Sequence, residues 1–201
     1  MAHSYSTDSA ERRYMPLFIA IAAIGATFAV FHFLDRHHVT VPWWATPPID
    51  TMAFYGLFYE LFDKWGWKCW PLHKLHIIRV PNLSGTWTGR VEPIETSGVS
   101  AGLGVKTNLK IEIKQTWTTM LVLGDASLSK SQSVSGNLLT RDGYTLSYEY
   151  LNEPKPSAPS TMHAHRGVAR MMVDEKNSRL EGEYYSGRDR QNIGTIHLRR
   201  S

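Results

Sequence analysis

Residues 107–115 read TNLKIEIKQ, and in this stretch apolar and charged side chains alternate one by one. Leu109, Ile111 and Ile113 fall in one phase, and two lysines and a glutamate fall in the other. A period of two places alternate side chains on opposite faces of a β-strand, so the apolar set is predicted to face a core. Gln115 continues that inward phase, which predicts a buried amide at the end of the strand.

The same alternation recurs after Pro81, and turn residues separate the successive segments. The predicted strands are 84–91, 107–115, 117–124, 127–139, 144–152, 166–174, 178–186 and 192–199. Short hairpin breaks without an intervening helix favour antiparallel, up-and-down connections. Eight such strands can pack as a sandwich or close into a barrel, and closure removes exposed edges. We therefore predict an all-β domain over 82–201 that is an eight-stranded antiparallel up-and-down β-barrel.

The inward phase of the predicted barrel combines tyrosines with small residues. The small residues at predicted inward positions are Gly85, Gly89, Gly167, Ala169, Gly182 and Gly194. An eight-stranded barrel can hold one small ligand where its inward side chains are small. Two segments, 93–106 and 153–165, are longer than ordinary hairpin loops. Each is interpreted either as a lid over the barrel mouth or as a surface loop.

The N-terminal third has a different pattern, because residues 17–34 read LFIAIAAIGATFAVFHFL. This run approaches the length that crosses the roughly 30 Å hydrocarbon core of a bilayer as a helix. A secretory signal peptide is the competing interpretation, but the run is followed by DRHH rather than by a small-residue cleavage site. We predict a transmembrane helix over about 15–35.

A second helix is predicted over about 43–65, where tryptophans flank an apolar segment. Asp50 and Glu60 near its two ends leave a re-entrant or interfacial helix as the alternative. Residues 1–81 are thus predicted to be a two-helix transmembrane segment with its flanks. Lysines and arginines lie before the first helix and after the second, so the positive-inside bias predicts a multi-pass protein with both termini cytoplasmic.

Composition limits the classes of function. The 201 residues carry a formal net charge of +4, which is too small to indicate a DNA or RNA partner. A single cysteine, Cys69, excludes an intramolecular disulfide framework and fits a reducing compartment. The chain lacks a G-x-S-x-G elbow and a convincing cluster of metal ligands, so we expect no enzyme, no metal and no cofactor.

Several short motifs occur in a characteristic order after the two apolar segments. They are PNLSGTWTG at 81–89, IKQTW at 113–117, YEY at 148–150, HRG at 165–167 and LEGEYY at 180–185. In this order, and behind a membrane anchor, they resemble the two-transmembrane, β-strand-rich effectors of bacterial CBASS anti-phage systems. These effectors are encoded beside CD-NTases, which make cyclic nucleotides. The resemblance covers nearly the whole chain.

The resemblance implies a cytosolic β-barrel sensor domain that binds a cyclic nucleotide made by a cognate CD-NTase. It further implies a homo-oligomer on activation, in which the helices disrupt the bacterial cell inner membrane and abort infection. The alternative is a membrane-anchored, lipocalin-like carrier of a lipid or hydrophobic ligand. A carrier would require an aliphatic lumen, whereas the inward tyrosines and Gln115 favour a more polar one.

A cyclic dinucleotide presents two bases and two phosphates, so its site requires stacking surfaces and cationic or N–H donors. The residues predicted to stack on bases or contact ribose are Trp87, Tyr148, Tyr150 and Tyr184. Gln115 is predicted to contact a base edge. His165, Arg166 and Arg188 are predicted to contact phosphate.

Overall fold

The structure of the chain is a computed structural model that describes residues 1–40, 47–94, 107–141, 143–187 and 192–201. The chain divides into two compact units. One unit combines Met1–Ser9 with Val80–Ser201, and the other is Ala10–Arg79. The sequence analysis assigned all of 1–81 to the membrane segment, whereas the structure groups the first nine residues with the β domain.

The helical unit contains two main helices. Helix α1 spans Glu11–Arg36, and helix α2 spans Pro47–Lys64. A 3₁₀ turn at Gly66–Lys68 and a short helix α3 at Trp70–Lys74 follow. Both predicted helices are therefore present; residues 43–46 of the second prediction lie outside the described residues.

Helix α1 carries a buried stripe with a spacing of four residues: Glu11, Met15, Ile19, Ala23 and Thr27. Residues four apart lie on one face of a helix. The Thr27 hydroxyl donates to the Ala23 carbonyl oxygen at 3.0 Å and lies 3.0 Å from the Thr51 hydroxyl of α2. Large apolar side chains elsewhere on α1 are exposed, Phe28 by 70%. A helix of this composition is stable where its surroundings are hydrocarbon.

The two helices differ in where their charged residues lie, because those of α1 are confined to its ends, at 11–13 and 35–36, and leave 14–34 without Asp, Glu, Lys or Arg. Within the described residues, α1 is the one helix with both the length and the apolar composition to cross a membrane. Helix α2 carries Asp50, Glu60, Asp63 and Lys64, and the Glu60 and Lys64 side chains form an ion pair of 2.6 Å. A second crossing by α2 therefore stays a prediction.

The β unit has ten strands. Two short ones, β1 at His3–Ser4 and β2 at Ser6–Thr7, come from the N-terminal segment. The others are β3 (Gly85–Pro93), β4 (Thr107–Gln115), β5 (Thr119–Ala126), β6 (Ser129–Leu139), β7 (Tyr144–Pro154), β8 (His165–Val173), β9 (Arg179–Ser186) and β10 (Ile193–Arg200). All eight predicted strands are confirmed, with small shifts at their ends.

Strands β3 to β10 pair antiparallel with their neighbours in chain order, and β10 pairs with β3. A pairing between β5 and β6 completes the ring, so the domain is a closed barrel rather than a sandwich. This pairing is short: it joins Leu123, Gly124 and Asp125 to Gln132, Ser131 and Lys130. Beyond it the two strands separate.

The N-terminal segment Met1–Ser9 covers the seam where β5 and β6 separate. His3 pairs with Met120 of β5 in the antiparallel sense, and Ser6 pairs with Asn137 of β6 in the parallel sense. Between them, Tyr5 is 3% exposed. The sequence analysis did not predict these strands, because a segment this short carries no periodic pattern.

The predicted inward phase of β4 is confirmed, because Ile111, Ile113 and Gln115 are all buried. At the end of the barrel that contains Gln115, the ring of Trp87 is also fully buried. We call this region, which comprises Tyr5, Leu83, Trp87 and Gln115, the closed end. The opposite end, where β7 terminates and β8 begins, is called the open end.

Candidate functional site

The interior of the barrel contains a cavity of about 230 Å³ at the open end. Aromatic and aliphatic side chains line its inner part, among them Leu109, Ile111, Tyr148, Tyr184 and Ile196. Polar side chains line its outer part, among them Ser129, Asn152, His165, Ser186 and Asn192. The cavity thus has an apolar, aromatic floor and a polar rim.

The floor stays open because inward tyrosines face small residues on the next strand. Tyr150 pairs with Gly167, and Tyr184 pairs with Gly194. A Cβ atom added at Gly167 would collide with the phenol of Tyr150, and one at Gly194 would collide with the Tyr184 ring. Each glycine therefore lets a ring lie against the barrel wall. Glycine at these positions preserves space in the lumen.

Tyr148 faces Ala169 on β8, and Ala169 in turn pairs with Tyr184 on β9. Its side chain is 6% exposed. Burial, followed by the neighbouring Tyr150, raises the pKa of Tyr148 well above its ordinary value, so the hydroxyl stays protonated at neutral pH. Within the described part of the chain, this hydroxyl has no hydrogen-bond partner in the protein. It is a neutral donor and acceptor directed into the cavity.

Two polar side chains at the rim resemble the Tyr148 hydroxyl in their hydrogen bonding. Ser129 and Asn152 are each 7% exposed, and neither side chain has a hydrogen-bond partner among the described residues. Ser186 differs, because its hydroxyl donates to the Asn192 carbonyl oxygen at 3.3 Å and accepts from the Asn192 amide at 3.0 Å. Their polar atoms can be reached from the cavity, so water or a ligand there can supply the hydrogen bonds that the protein does not.

Asn152 is not among the residues predicted for the site, although the alternation along β7 indicates it. The inward phase of β7 runs through Leu146, Tyr148 and Tyr150, and one more step of two reaches Asn152. The prediction ended the strand at that residue, so its side chain was not considered as lumenal. In the structure β7 continues to Pro154.

The charge of the cavity is small. The lining formed by the described residues includes His165 but no lysine or arginine. The His165 ring lies at the rim, and its Nδ1 atom is 3.1 Å from the His163 carbonyl oxygen. An anionic group deep in this cavity would therefore lack a cationic partner.

The proline-rich loop that precedes β8 contributes to the cavity through Met162. Its base is fixed by Lys155, whose ammonium donates to the Asp125 carboxylate at 2.6 Å and to the Ala126 carbonyl oxygen at 2.5 Å. The hydrogen bond from Lys155 lowers the pKa of Asp125, although desolvation opposes this effect. The loop therefore forms part of the cavity wall. Most of the other predicted lid, residues 95–106, lies outside the described residues.

The predicted ligand-binding residues separate into groups. Those that line the cavity together are Tyr148, Tyr150, Tyr184 and His165. Trp87 and Gln115 lie at the closed end, away from this lining. Arg166 is on the outer surface, where its guanidinium is 3.4 Å from the Glu149 carboxylate. Arg188 lies outside the described residues.

Trp87 and Gln115 make their polar contacts within the protein. The Trp87 indole N–H donates to the Leu83 carbonyl oxygen at 3.0 Å. The Gln115 side-chain oxygen accepts from the Leu83 amide at 2.8 Å, and its nitrogen donates to the Pro81 carbonyl oxygen and the Tyr5 hydroxyl, both at 3.3 Å. These hydrogen bonds close this end of the barrel. Both the oxygen and the nitrogen of the Gln115 amide have protein partners.

The fold thus places the chain in the class of proteins that combine a closed β-barrel enclosing a lumenal cavity with an apolar N-terminal helix. Residues 78–200 match the family profile described as "Cap15, cyclic dinucleotide receptor domain". Residues 15–68 match the profile described as "Cap15, TM helices". The chain belongs to the Cap15 family of CBASS effectors. The resemblance inferred from the short motifs is thereby confirmed.

Two similar proteins carry the name CD-NTase-associated protein 15. The one from Yersinia aleksiciae is 27% identical over 188 residues, which cover 91% of this chain and 86% of the relative. The one from Staphylococcus schleiferi is 24% identical over 181 residues, which cover 86% of this chain and 91% of the relative. The similarity therefore extends over the helices and the barrel of this chain.

Proposed function

We propose that the open-end cavity binds a cyclic dinucleotide made by a cognate CD-NTase, and that binding drives assembly of chains whose helices disrupt the bacterial inner membrane. The observation that carries this proposal is the cavity itself. It lies inside the domain that matches the cyclic dinucleotide receptor, and it is walled by Tyr148, Tyr150 and Tyr184. Aromatic rings are the surfaces on which nucleobases stack, at about 1–3 kcal/mol per base.

The cavity lining argues against the alternative of a lipid carrier. A carrier of acyl chains requires a continuous aliphatic lumen. Here the rim presents the polar side chains of Ser129, Asn152 and Ser186, and the floor presents a tyrosine hydroxyl. Burying an apolar chain against Ser129, Asn152 and the Tyr148 hydroxyl would displace the water that reaches them, at a cost of roughly 1–3 kcal/mol for each group.

The two chain segments that form the β unit favour an even number of membrane crossings. Met1–Ser9, which precede α1, belong to the same compact unit as Val80–Ser201. Both segments must then lie on one side of the bilayer. If α1 crosses, the chain must return before Val80, and α2 is the helix available for that return. The positive flanks favour the cytoplasm, where the ligand is made, for the barrel and both termini.

Thermodynamic linkage sets the condition under which ligand binding promotes assembly. A ligand promotes self-association only if it binds the assembled form more tightly than the isolated chain. Membrane anchoring confines the chains to one surface and raises their effective concentration, so a modest difference in affinity is sufficient. Rearrangement of the helices in the assembly would then perturb the bilayer.

The test of the binding step uses the full chain in detergent micelles, titrated with cyclic di-AMP, cyclic GMP-AMP and cyclic di-GMP. The decisive variant is Ser129→Phe, because a phenyl ring at the rim would fill the entrance. Its control is Ser135→Phe on the same strand, since Ser135 is exposed. We expect one probe to bind the native chain and the control, and Ser129→Phe to lose at least tenfold in affinity. Equal binding by all three proteins would refute the cavity as the site.

The test of the output uses the same three proteins in vesicles filled with a fluorescent dye. The probe that binds should release dye from vesicles that hold the native chain or Ser135→Phe, and not from those with Ser129→Phe. Crosslinking before and after addition of the probe measures the assembly. A probe that binds tightly without crosslinked oligomers or dye release would contradict the membrane mechanism and leave the binding site standing.

A further inference from the structure

We infer that the cavity admits one nucleobase of the ligand and leaves both phosphates outside, and that the Tyr148 hydroxyl and the Asn152 carboxamide recognise the edges of that base. The inference rests on the proposed function, and it names which part of the ligand enters and which residues select it. Three observations lead to it: the charge of the lining, the size of the cavity, and the unpartnered polar groups within it.

The lining formed by the described residues offers phosphate no lysine or arginine partner in the interior. The described residues that form the cavity include no lysine or arginine, and His165 lies at the rim. Transfer of an unpaired anion from water into a protein interior costs several kcal/mol. A nucleobase carries no charge at neutral pH. The uncharged part of the ligand is therefore the part that the interior accepts.

The size of the cavity leads to the same conclusion. The described residues enclose about 230 Å³. Pockets that bury a whole drug-sized ligand measure roughly 300–1,000 Å³. A cyclic dinucleotide contains two bases, two sugars and two phosphates, so this cavity accommodates a part of it and not the whole. A flat base that lies along the Tyr150 and Tyr184 rings fits such a space.

The polar groups in the cavity identify the contacts. Tyr148 and Asn152 are both more than nine-tenths buried, and within the described residues neither side chain has a protein partner. Both lie on β7 in the inward phase, with Tyr150 between them. In a strand they are about 13 Å apart along the chain, at roughly 3.3 Å per residue, with Tyr148 nearer the floor. A base between them meets the hydroxyl at its inner edge and the amide at its outer edge.

The chemistry of Asn152 predicts a preference among bases. A carboxamide offers a donor beside an acceptor, the pattern that pairs with two adjacent groups of adenine, N6 and N7. A carboxylate offers acceptors only. Asn152→Asp should therefore disfavour adenine and favour guanine, whose N1–H and N2–H groups are two adjacent donors. A residue with a purely structural role would not change this ratio.

The experiment measures the affinities of cyclic di-AMP and cyclic di-GMP for the full chain in micelles. Tyr148→Phe keeps the ring and removes an unpartnered hydroxyl, so we expect unchanged thermal stability and at least a tenfold loss for the better probe. Asn152→Asp should change the ratio of the two affinities by at least tenfold in favour of cyclic di-GMP. The matched controls are Tyr185→Phe and Asn108→Asp, because both side chains are exposed; they should bind as the native chain does.

The outcomes separate this inference from the proposed function. If the native chain binds a probe and Tyr148→Phe and Asn152→Asp bind it with native affinities and a native ratio, the base-recognition assignment is wrong and the receptor function stands. If Asn152→Asp weakens both probes equally, Asn152 does not select the base. If the folded native chain binds neither these probes nor cyclic GMP-AMP, the proposed function itself is wrong.

Discussion

The two ends of the barrel bury polar side chains in opposite ways. At the closed end, the Gln115 amide bonds to Leu83, Pro81 and Tyr5, and the Trp87 indole bonds to Leu83. At the open end, Tyr148 and Asn152 are equally buried but have no protein partner in the part of the chain that the structure describes. Polar side chains at the two ends are therefore buried to a similar extent but differ in whether the protein satisfies their hydrogen bonds.

This difference separates residues that stabilise the fold from residues available to a ligand. A buried polar group with all its partners in the protein contributes to a single, well-ordered structure. One that meets only the solvent of a cavity exchanges water for ligand groups on binding, so it acts on affinity rather than on stability. Substitutions at the closed end should therefore lower stability, and substitutions at the open end should lower affinity.

The largest expected effect is on the stability of the closed end, from Trp87→Ala. The ring is fully buried, and the Arg200 guanidinium lies 5.1 Å from its centre on one face. Removal of a buried aromatic side chain costs about 3–5 kcal/mol in the free energy of unfolding. Urea denaturation of the full chain in micelles measures this loss, and titration of the remaining folded protein should give the native affinity.

The control for this substitution is Tyr185→Ala on the barrel exterior, where the side chain is 51% exposed. It should change the free energy of unfolding by no more than about 0.5 kcal/mol. If Trp87→Ala kept its stability and lost the ligand instead, Trp87 would be a binding residue, as the sequence analysis predicted, and the comparison of the two ends would fail.

A sharper test replaces one buried amide side chain at each end of the barrel by leucine. Gln115→Leu removes the partner of the buried Leu83 amide and the Pro81 carbonyl oxygen, each of which costs about 1–3 kcal/mol when left unpaired. Asn152→Leu removes an amide that has no protein partner among the described residues, so stability should be unchanged or slightly higher. We expect Gln115→Leu to unfold at a lower urea concentration with native affinity, and Asn152→Leu to show the reverse.

Each variant serves as the control for the other, since both replace a buried amide by the same aliphatic side chain. Measurement of urea midpoints and affinities in the same micelle preparation gives four values. A loss of stability in both variants would mean that Asn152 is a structural residue, and a loss of affinity in both would mean that the ligand reaches the closed end.

The sequence predicted the fold well because the relevant forces are local and periodic. Alternation in β4 identified Ile111, Ile113 and Gln115 as inward-facing, and the structure confirms all three as buried. The same alternation identified Tyr148 and Tyr184 as lumenal, and both line the cavity. A period of two specifies the face of each side chain, which is sufficient to separate lumen from surface.

The position along the barrel axis was not predictable in the same way. Alternation makes Gln115 and Asn152 equivalent, since both are inward amides in the last residues of a strand. Which amide meets a cavity depends on strand register and on contacts distant in sequence, such as that between Gln115 and Tyr5. Arg166, which was predicted for phosphate, is on the outer surface because it is one residue out of the inward phase that contains Gly167.

The smallest expected effect concerns Asp8. Its hydrogen bonds link the N-terminal segment to Thr140, which directly follows β6 at the closed end. Its carboxylate accepts from the Thr140 amide at 2.8 Å and from the Thr140 hydroxyl at 3.0 Å, and the Arg141 guanidinium lies 3.8 Å away. Burial raises the pKa of Asp8, but these hydrogen bonds and the arginine outweigh it and lower the pKa below its ordinary value. The folded state therefore favours the charged form.

A carboxyl group with a lowered pKa stabilises the fold above its unfolded pKa of about 4, and this contribution is lost as the pH falls through the folded value. At pH 7, Asp8→Asn should lower the free energy of unfolding by less than about 1 kcal/mol, and the difference from the native chain should vanish below the lowered pKa. Glu175→Gln, at an exposed position, is the control. Because β1 and β2 cover the seam between β5 and β6, the protection factors of the Tyr5 and Ser6 amides, which correct exchange rates for their intrinsic pH dependence, should fall over the same acidic range in the native chain. A stability difference between Asp8→Asn and the native chain that persisted in strong acid would mean that packing and strand pairing, rather than charge, hold the segment against the barrel.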